Sequence, residues 1–264
     1  MGSALAGGSR GDRERRRCMR RSAKLIAILR VRTYRAALLR HGVAAAVEHA
    51  AALGGLKLRT VIDVGANRGQ FSLFALHAFP AATIVALEPL AVPAARFRRV
   101  FAGERRVTLH HAALAPESGR STMHVSGHDD SSSLLPITAT QGRIFRGTNE
   151  VRTETVRTGP LHEFLDGNSI VAPALLKLDV QGYELEALRA CGELLEKFAY
   201  ICAEGSFMEL YAGQVLADDL VSWLGARGYA LVRSYGAVSD ERGRTIQTDM
   251  LFKRSPDRQH GAPQ

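Results

Sequence analysis

Short apolar runs recur along this 264-residue chain, and amphipathic stretches separate several of them. Phe71–Phe79 and Pro93–Phe101 carry apolar residues at helical spacing, each directly after such a run. Alternation of buried strands with helices is typical of an α/β domain built on a parallel sheet. The strands that this pattern predicts are Val61–Val64, Thr83–Glu88, Val107–His111, Leu175–Asp179 and Tyr200–Ser206.

Acidic residues lie within or at the ends of four of these predicted strands. They are Asp63, Glu88, Asp179 and Glu204. Each acid by itself has a simple interpretation as a helix cap or a surface residue. Open α/β sheets, however, bind their ligands at the carboxyl ends of their strands. The recurrence of acids there therefore predicts that all four lie along one rim of a ligand site.

The stretch Thr60–Gln70, TVIDVGANRGQ, predicts a strand, a glycine turn and the start of a helix. Such a corner is expected to place free backbone N–H groups and a positive helix end beside a crevice. A dinucleotide fingerprint has a glycine where this chain has Asn67, and Asp63 precedes Gly65 by two positions. An acid there suits a ligand with a cationic amino-acid tail, and Glu88, nineteen positions after Gly69, suits ribose hydroxyls. The pattern favours S-adenosylmethionine over NAD.

Positive charge is concentrated at the beginning of the chain. The first sixty residues hold fourteen basic and three acidic side chains, which leaves a net charge of −2 for the other 204 residues. We expect a disordered basic tail over 1–21, a helical extension over 22–56, a catalytic domain over 57–254 and a disordered tail over 255–264. Within the extension, Ser22–Arg40 is predicted to be helical, Gly42 to end that helix, and Val43–Leu53 to form a second helix.

Two interpretations of the basic helix remain open. In the first, the helix contacts an anionic membrane surface or an acidic glycan carrier. In the second, which we favour, it packs on the catalytic domain and its arginines are solvated. Nucleic acid is not expected as a partner, because no cluster of stacking aromatic residues accompanies the charge. The sequence leaves the oligomeric state open.

The remaining composition points to a cytoplasmic protein, with peripheral contact at the inner membrane surface as the alternative. Mean hydropathy is near zero, no apolar run approaches the roughly 18 residues of a membrane span, and no secretory signal is evident. Cys18, Cys191 and Cys202 lack metal-type spacing and are interpreted as reduced thiols. Met19 is an alternative to Met1 as the first residue of the protein.

Weaker patterns fill the rest of the chain. Thr122–Val125 and Val151–Val156 are predicted strands on either side of a serine-rich loop, Gly127–Leu135, whose hydroxyls suit a position over a polyol substrate. Tyr229–Ser234 and Gln247–Phe252 are predicted to form a terminal hairpin that adds an antiparallel strand to the sheet.

Five motifs together resemble the FkbM family of S-adenosylmethionine-dependent methyltransferases. They occur in the family's order and span residues 60–254. The resemblance implies a class I methyltransferase fold, a Rossmann-like seven-stranded mixed sheet with helices on both faces. It also implies O-methylation of a hydroxyl on a sugar, a polysaccharide or a natural-product acceptor. The motifs are VIDVGANRGQFS (61–72), SSSLL (131–135), LLKLDVQGYELEALRAC (175–191), EGSFMELYAGQ (204–214) and TDMLFKR (248–254).

The resemblance also implies roles for individual residues. A methyltransferase of this topology places the adenine ring near Ala113, just past the third predicted strand, and Glu88 at the ribose. Asp179 is the first candidate for the base and Glu204 the second, with no metal assigned. Lys177 is expected to serve the structure. Asp63, Gly65, Asn67 and Gly69 form the implied cofactor loop, and Gln181, Tyr183 and Glu184 are expected to shape the acceptor pocket.

Two other classes of function remain as alternatives. A nucleotide-dependent oxidoreductase shares the acid after the second strand but has a glycine at the position of Asn67. A non-catalytic membrane- or glycan-associated module would use the basic helix and bind no cofactor. Binding of S-adenosylmethionine separates both from a methyltransferase.

Overall fold

A seven-stranded sheet organises the part of the chain that the computed structural model describes, residues 22–255. The strands are β1 Thr60–Val64, β2 Thr83–Leu87, β3 Val107–His110, β4 Ala113–Leu114, β5 Gly119–Ser126, β6 Glu150–Gly159, β7 Ala174–Leu178, β8 Tyr200–Ser206, β9 Tyr229–Ser239 and β10 Thr245–Arg254. The large sheet has the order β3-β2-β1-β7-β8-β10-β9, and β10 runs antiparallel to both of its neighbours. The predicted mixed sheet and its terminal hairpin are confirmed.

Helices cover both faces of this sheet. Val61 belongs to a buried apolar cluster with Phe71 and Phe74, whereas Ile62 and Val64 belong to another with Leu220. Successive residues of a strand point to opposite faces, so the apolar run of β1 is buried on both. The helices are α1 at 22–30, α2 Arg32–His41, α3 Ala50–Leu53, α4 Gln70–Ala78, α5 Ala91–Val100, α6 Ala139–Ile144, α7 Glu184–Arg189 and α8 Ala217–Gly225.

The N-terminal extension differs from its prediction. The first helix is interrupted at Val31, whose backbone is extended, and Gly42 ends α2 in the left-handed conformation at φ 64°. The second predicted helix, Val43–Leu53, is wrong over its first part, because residues 42–46 are not helical and only a 3-10 turn precedes α3. Ala46 donates its N–H to the carbonyl of Gln70 at 2.9 Å. Packing against α4 therefore overrides the helix propensity of the alanines.

A small second sheet, in the order β4-β6-β5, stands beside the large one. It contains the predicted strands over 122–125 and 151–156, both longer than expected. The serine-rich loop between them folds back, with an isolated bridge between His124 and Ser133. None of the described helices is both long enough and apolar enough to cross a bilayer. The expectations for 1–21, for Cys18 and for 256–264 lie outside the described residues.

Candidate functional site

Two adjoining cavities lie at the carboxyl ends of the central strands. The deep pocket has a volume of about 520 Å³ and is lined by the ends of β1 and β2, by residues 112–114 and by the N-terminal extension. The outer crevice has about 710 Å³ and is lined by the residues around α6 together with Gln181, Glu204 and Gln247. Asp179, the first residue after β7, lines both cavities.

The glycine loop after β1 is closed to anions. Gly65 and Ala66 donate their N–H groups to the carbonyl of Leu87, and Gly69 donates to Ala66. The N–H of Asn67 donates to Glu88 at 2.8 Å, and that of Arg68 to the Asn67 side chain. The expected free N–H groups are therefore absent from this loop, since each has a partner within the protein. A diphosphate needs such groups, so the loop does not fit a dinucleotide.

Gly65 and Gly69 serve different purposes in this loop. Gly65 has φ 79° and approaches so closely that a Cβ atom there would overlap the main-chain carbonyl of Asp179. Gly69 has φ 92° and begins α4, but it does not line the deep pocket. A Cβ atom on Gly69 would meet the rings of Phe97 and Phe101, so its role is to let α4 pack on α5. The assignment of Gly69 to the cofactor loop stays a prediction, and its place in the structure is at the packing of α4 on α5.

Glu88 is buried at the end of β2 and is fixed by the main chain. One carboxylate oxygen accepts the N–H of Asn67 and the other accepts the N–H of Leu90 at 2.7 Å. Burial raises the pKa of Glu88 to about 7. Each oxygen keeps a further lone pair, which suits a pair of neighbouring hydroxyl donors such as those of a ribose.

The deep pocket is apolar at one end and polar at the other. Ala112, Ala113, Leu114, Met123 and Leu134 line the apolar end, where an adenine ring would find hydrophobic contacts.

At the polar end, Asp63 accepts a hydrogen bond from Ser72 at 2.6 Å, and burial raises the pKa of Asp63 to about 6. Nearby, the buried Oε1 atom of Gln70 has no hydrogen-bond partner among the described residues. An orphaned acceptor in a pocket calls for a donor from a ligand, and the α-ammonium group of S-adenosylmethionine is one. The residues of the pocket therefore fit that cofactor.

The N-terminal extension forms one wall of the deep pocket, which the sequence did not indicate. Val43, Ala46, Glu48 and His49 line the pocket, as does Lys24 from α1, whose ammonium pairs with Glu48 at 2.8 Å. The alanine-rich run looked like an independent helix, so no sequence signal identified this contact. The extension is thus part of the site rather than an appendage to it.

Lys177 lines the deep pocket and is almost fully buried, with 1% of its surface exposed. Its ammonium donates to the carbonyl of Leu178 at 3.1 Å and lies 3.6 Å from a carboxylate oxygen of Asp179 and 3.6 Å from one of Asp249. Burial by itself lowers the pKa of Lys177, but the carboxylates of Asp179 and Asp249 outweigh burial and raise it well above its ordinary value. This lysine therefore holds Asp179 in place.

A cluster of His49, Cys202 and Asp249 brings three potential metal ligands within 4.8 Å of one another. The hydroxyl of Tyr235 already bonds to His49 at 2.9 Å and to Cys202 at 3.1 Å, and the Lys177 ammonium adjoins Asp249. Burial lowers the pKa of His49 to about 3 and raises that of Cys202 to about 12. A neutral thiol beside a buried ammonium does not suit a cation, so we interpret the cluster as a hydrogen-bonded support.

In the outer crevice, amide side chains hold the acids. Gln181 donates to Asp179 at 2.9 Å and lies 3.5 Å from Glu204, which also accepts from Gln247 at 2.5 Å. Burial, together with the neighbouring charges of Asp179 and Glu184, raises the pKa of Glu204 well above its ordinary value. Asp179 has 46% of its side chain exposed and is the more accessible of the two acids.

The candidate residues thus divide between the two cavities. Glu204 and Gln181 line only the crevice, whereas Tyr183 lines the deep pocket, contrary to its expected place beside the acceptor. Glu184 lines neither cavity; it is buried and accepts the N–H groups of Val180 and Gly182. The cofactor candidates that line the deep pocket are Asp63, Gly65, Asn67, Glu88 and Ala113.

Comparison with known proteins gives two curated relatives. The chain is 27% identical over 161 residues to "2-O-methyltransferase NoeI" of Sinorhizobium fredii, covering 59% of this chain and 66% of that protein. It is 26% identical over 144 residues to "Methyltransferase 1" of Beauveria bassiana, covering 49% of this chain and 57% of that protein. The chain therefore spans less than two thirds of the length of each.

Solved structures resemble the fold only loosely. Magnesium protoporphyrin IX methyltransferase of Synechocystis, solved with bound S-adenosylmethionine, aligns with a TM-score of 0.42 at 14% identity, covering 78% of this chain and 74% of that one. A likeness at this level carries no inference about function. The family model described as "Methyltransferase FkbM domain" matches residues 63–231, which is more than half of the chain. The protein belongs to the FkbM methyltransferase family.

Proposed function

We propose that this protein transfers a methyl group from S-adenosylmethionine to a hydroxyl of a sugar, a polysaccharide or a natural-product acceptor. The observation that carries the proposal is the position of Asp179, which lines both the deep pocket and the polar outer crevice. A group on this boundary can touch an acceptor hydroxyl while that hydroxyl faces the methyl donor. The name of the relative NoeI, a 2-O-methyltransferase, supports oxygen as the acceptor atom.

In the deep pocket, each residue meets a different part of the cofactor. When bound, S-adenosylmethionine supplies an electrophilic methyl group on a sulfonium. Glu88 accepts hydrogen bonds from the ribose hydroxyls, and Ala113 packs on the adenine. Asp63 gives the pocket negative character beside the cationic amino-acid tail, while Gly65 and Asn67 shape the loop that encloses it. Gly69 acts indirectly, through the packing of α4.

Asp179 is the base of the proposed reaction. Its carboxylate would accept the proton of the acceptor hydroxyl when the methyl group passes from sulfur to oxygen and S-adenosylhomocysteine leaves, and a positioned base of this kind contributes about 10²–10⁴-fold. Alignment of the hydroxyl and exclusion of water contribute roughly 7–11 kcal/mol in favourable cases. Lys177 and Gln181 orient the carboxylate, each through a different one of its oxygen atoms. Glu204 is the second candidate, with the disadvantage that it does not reach the deep pocket.

The closed glycine loop counts against an oxidoreductase that uses a dinucleotide. Its five N–H groups are satisfied within the protein, which leaves no cradle for a pyrophosphate. A non-catalytic module is disfavoured for another reason. The extension that would serve such a module lines the cofactor pocket itself, so the membrane or glycan contact would not be independent of the catalytic domain.

Peripheral contact of the extension with an anionic membrane surface is part of the proposal. Leu25 and Ile26 on α1 are about half exposed, at 48% and 50%, and Leu39 on α2 is 75% exposed. Arg30, Arg32 and other basic residues lie beside them in the sequence. Apolar side chains among cations suit the headgroup region of a cytoplasmic membrane surface. We retain 57–254 as the catalytic domain, with 22–56 completing its pocket.

Calorimetry with S-adenosylhomocysteine tests the cofactor site, and mass spectrometry of methyl hexopyranosides incubated with S-adenosylmethionine tests the transfer. We expect measurable binding heat and a product heavier by one methylene group. A folded protein that gives no heat refutes the proposed function. Sedimentation with vesicles containing phosphatidylserine tests the membrane contact separately, and binding that is lost at high salt is the expected result.

A further inference from the structure

Gln141, in α6, carries a buried oxygen that nothing in the described part of the chain satisfies. The residue is 3% exposed and lines the outer crevice, and its Oε1 atom has no hydrogen-bond partner there. Buried polar atoms are almost always paired, and an exception in a cavity is a place where a ligand or a water completes the bond. The missing partner must be a donor, because a carbonyl oxygen only accepts.

The orientation of the Gln141 amide follows from its neighbour Tyr211. The Tyr211 hydroxyl lies 2.7 Å from Oε1 of Gln181 and 3.0 Å from the carbonyl of Ser131, both of which are acceptors. Its single hydrogen is therefore committed to one of them. Gln141 lies 3.2 Å away and must present its NH₂ group to the hydroxyl oxygen. The carbonyl oxygen is thus the free end of the amide.

The same hydrogen bonds connect Gln141 to the proposed base. Tyr211 bonds to Gln181, and the amide nitrogen of Gln181 donates to Asp179 at 2.9 Å. Gln181 has a positive φ of 55°, an unusual conformation for a non-glycine residue, and this network stabilises it. The free oxygen of Gln141 and the carboxylate of Asp179 are therefore held in a defined relation within one crevice.

We propose that Oε1 of Gln141 accepts a hydrogen bond from a second hydroxyl of the acceptor, while Asp179 serves the hydroxyl that is methylated. The inference rests on the proposed function and deepens it, since it makes Gln141 a residue that selects polyhydroxylated acceptors over acceptors with a single hydroxyl. Ser131 and Thr148 add polar groups to the crevice, and Phe145 adds an aromatic side chain suited to the apolar face of a sugar ring.

The test uses the full-length protein, S-adenosylmethionine, methyl hexopyranosides, and monodeoxy analogues that keep the methylated hydroxyl. For the wild-type protein, we expect one analogue to lose about ten-fold in kcat/KM, the factor that one neutral hydrogen bond produces. Gln141→Leu should abolish the difference in kcat/KM between the parent glycoside and that analogue. Saturation-transfer NMR of the S-adenosylhomocysteine complex should show the same loss in glycoside binding.

Arg143→Ala is the control on the same helix. Arg143 is exposed, and within the described residues its guanidinium makes one hydrogen bond, to Thr140. Equal losses for parent and analogue in Gln141→Leu would overturn the inference, since they indicate a structural role. Two results with the wild-type protein also overturn the inference, whether or not the variant folds. One is equal kcat/KM for the parent and every analogue, and the other is no methylation of any glycoside. Binding of S-adenosylhomocysteine in the same samples shows whether the proposed cofactor site itself survives.

Discussion

The deep pocket and the outer crevice share Asp179 but are built in different ways. The acids of the deep pocket are held by the main chain and by a hydroxyl, as Glu88 is by two N–H groups and Asp63 by Ser72. The acids of the crevice are held by the amide side chains of Gln181 and Gln247. Main-chain contacts depend little on which side chains surround them. The two cavities therefore differ in how their acids are positioned, largely by main-chain groups in the deep pocket and by amide side chains in the crevice.

The secondary-structure elements that surround the two cavities also differ. The ends of β1, β2 and β7 surround the deep pocket, and every residue of β1 and β7 is buried. The crevice is lined mostly by the segment between β5 and β6, with Asp179 and Gln181 from the loop after β7 and with Glu204 of β8 and Gln247 of β10. Loops tolerate exchange of residues far better than central strands do. Substitutions in the two cavities should consequently affect different measurements.

The largest expected effect is at the shared residue. Asp179→Asn should lower turnover by about 10²–10⁴-fold, because the amide cannot accept the hydroxyl proton. The affinity for S-adenosylhomocysteine should stay within a few-fold of wild type. Steady-state kinetics and calorimetry measure the two quantities. Glu204→Gln is the comparison variant, and if it loses more turnover than Asp179→Asn, the role of base passes to Glu204.

The next effect is on stability and concerns Glu184, a buried carboxyl group that accepts the N–H groups of Val180 and Gly182. Burial raises the pKa of Glu184 from 4.5 to about 7 in the folded protein. Between these values the folded state binds the proton that the unfolded state has released. The free energy of unfolding of the wild type, relative to Glu184→Gln, should therefore fall by roughly 3 kcal/mol as the pH rises from 4.5 to 7.

Urea denaturation at a series of pH values measures this difference. Glu186→Gln, on the same helix, is the control, because Glu186 is partly exposed and pairs with the exposed Arg189. A difference between wild type and Glu184→Gln that does not change with pH would show that Glu184 ionises normally in the folded protein.

A smaller effect is expected at the ribose end of the deep pocket. Glu88→Gln should weaken binding of S-adenosylhomocysteine by about 2 kcal/mol, the typical contribution of hydrogen bonds to a charged group. Calorimetry measures the change, and Glu104→Gln in a surface loop is the control. Unchanged affinity would remove Glu88 from the cofactor site and leave its role as a support for the Asn67 and Leu90 N–H groups.

The smallest effect concerns the wall formed by the extension. Lys24 and Glu48 form a surface pair whose side chains are 43% and 46% exposed, so Lys24→Gln should change the affinity for S-adenosylhomocysteine by less than about 1 kcal/mol. The change should diminish at high salt. Lys57→Gln is the control, since Lys57 is exposed and does not line the pocket. A loss larger than ten-fold would mean that Lys24 contacts the ligand directly.

Local sequence was sufficient for the central sheet and for the rim of acids. The apolar runs of β1 and β7 are buried on both faces, and a run of that kind has few alternatives in an α/β domain. Asp63, Glu88 and Asp179 follow from the same pattern, because the end of each strand is visible in the sequence. The family resemblance, confirmed by the match over 63–231, supplied the identity of the fold.

Other features depended on residues that are distant in the chain. Lys24 and Glu48 reach the deep pocket only because α1 and residues 42–46 pack beside α4. Gln141 meets Tyr211 seventy residues further on, and Lys177 meets Asp249 on β10. Periodicity and turn signals report on neighbours a few residues apart. The sequence by itself therefore determined which acids stand at the strand ends, and only tertiary packing decided which side chains hold them and which oxygen was left without a partner.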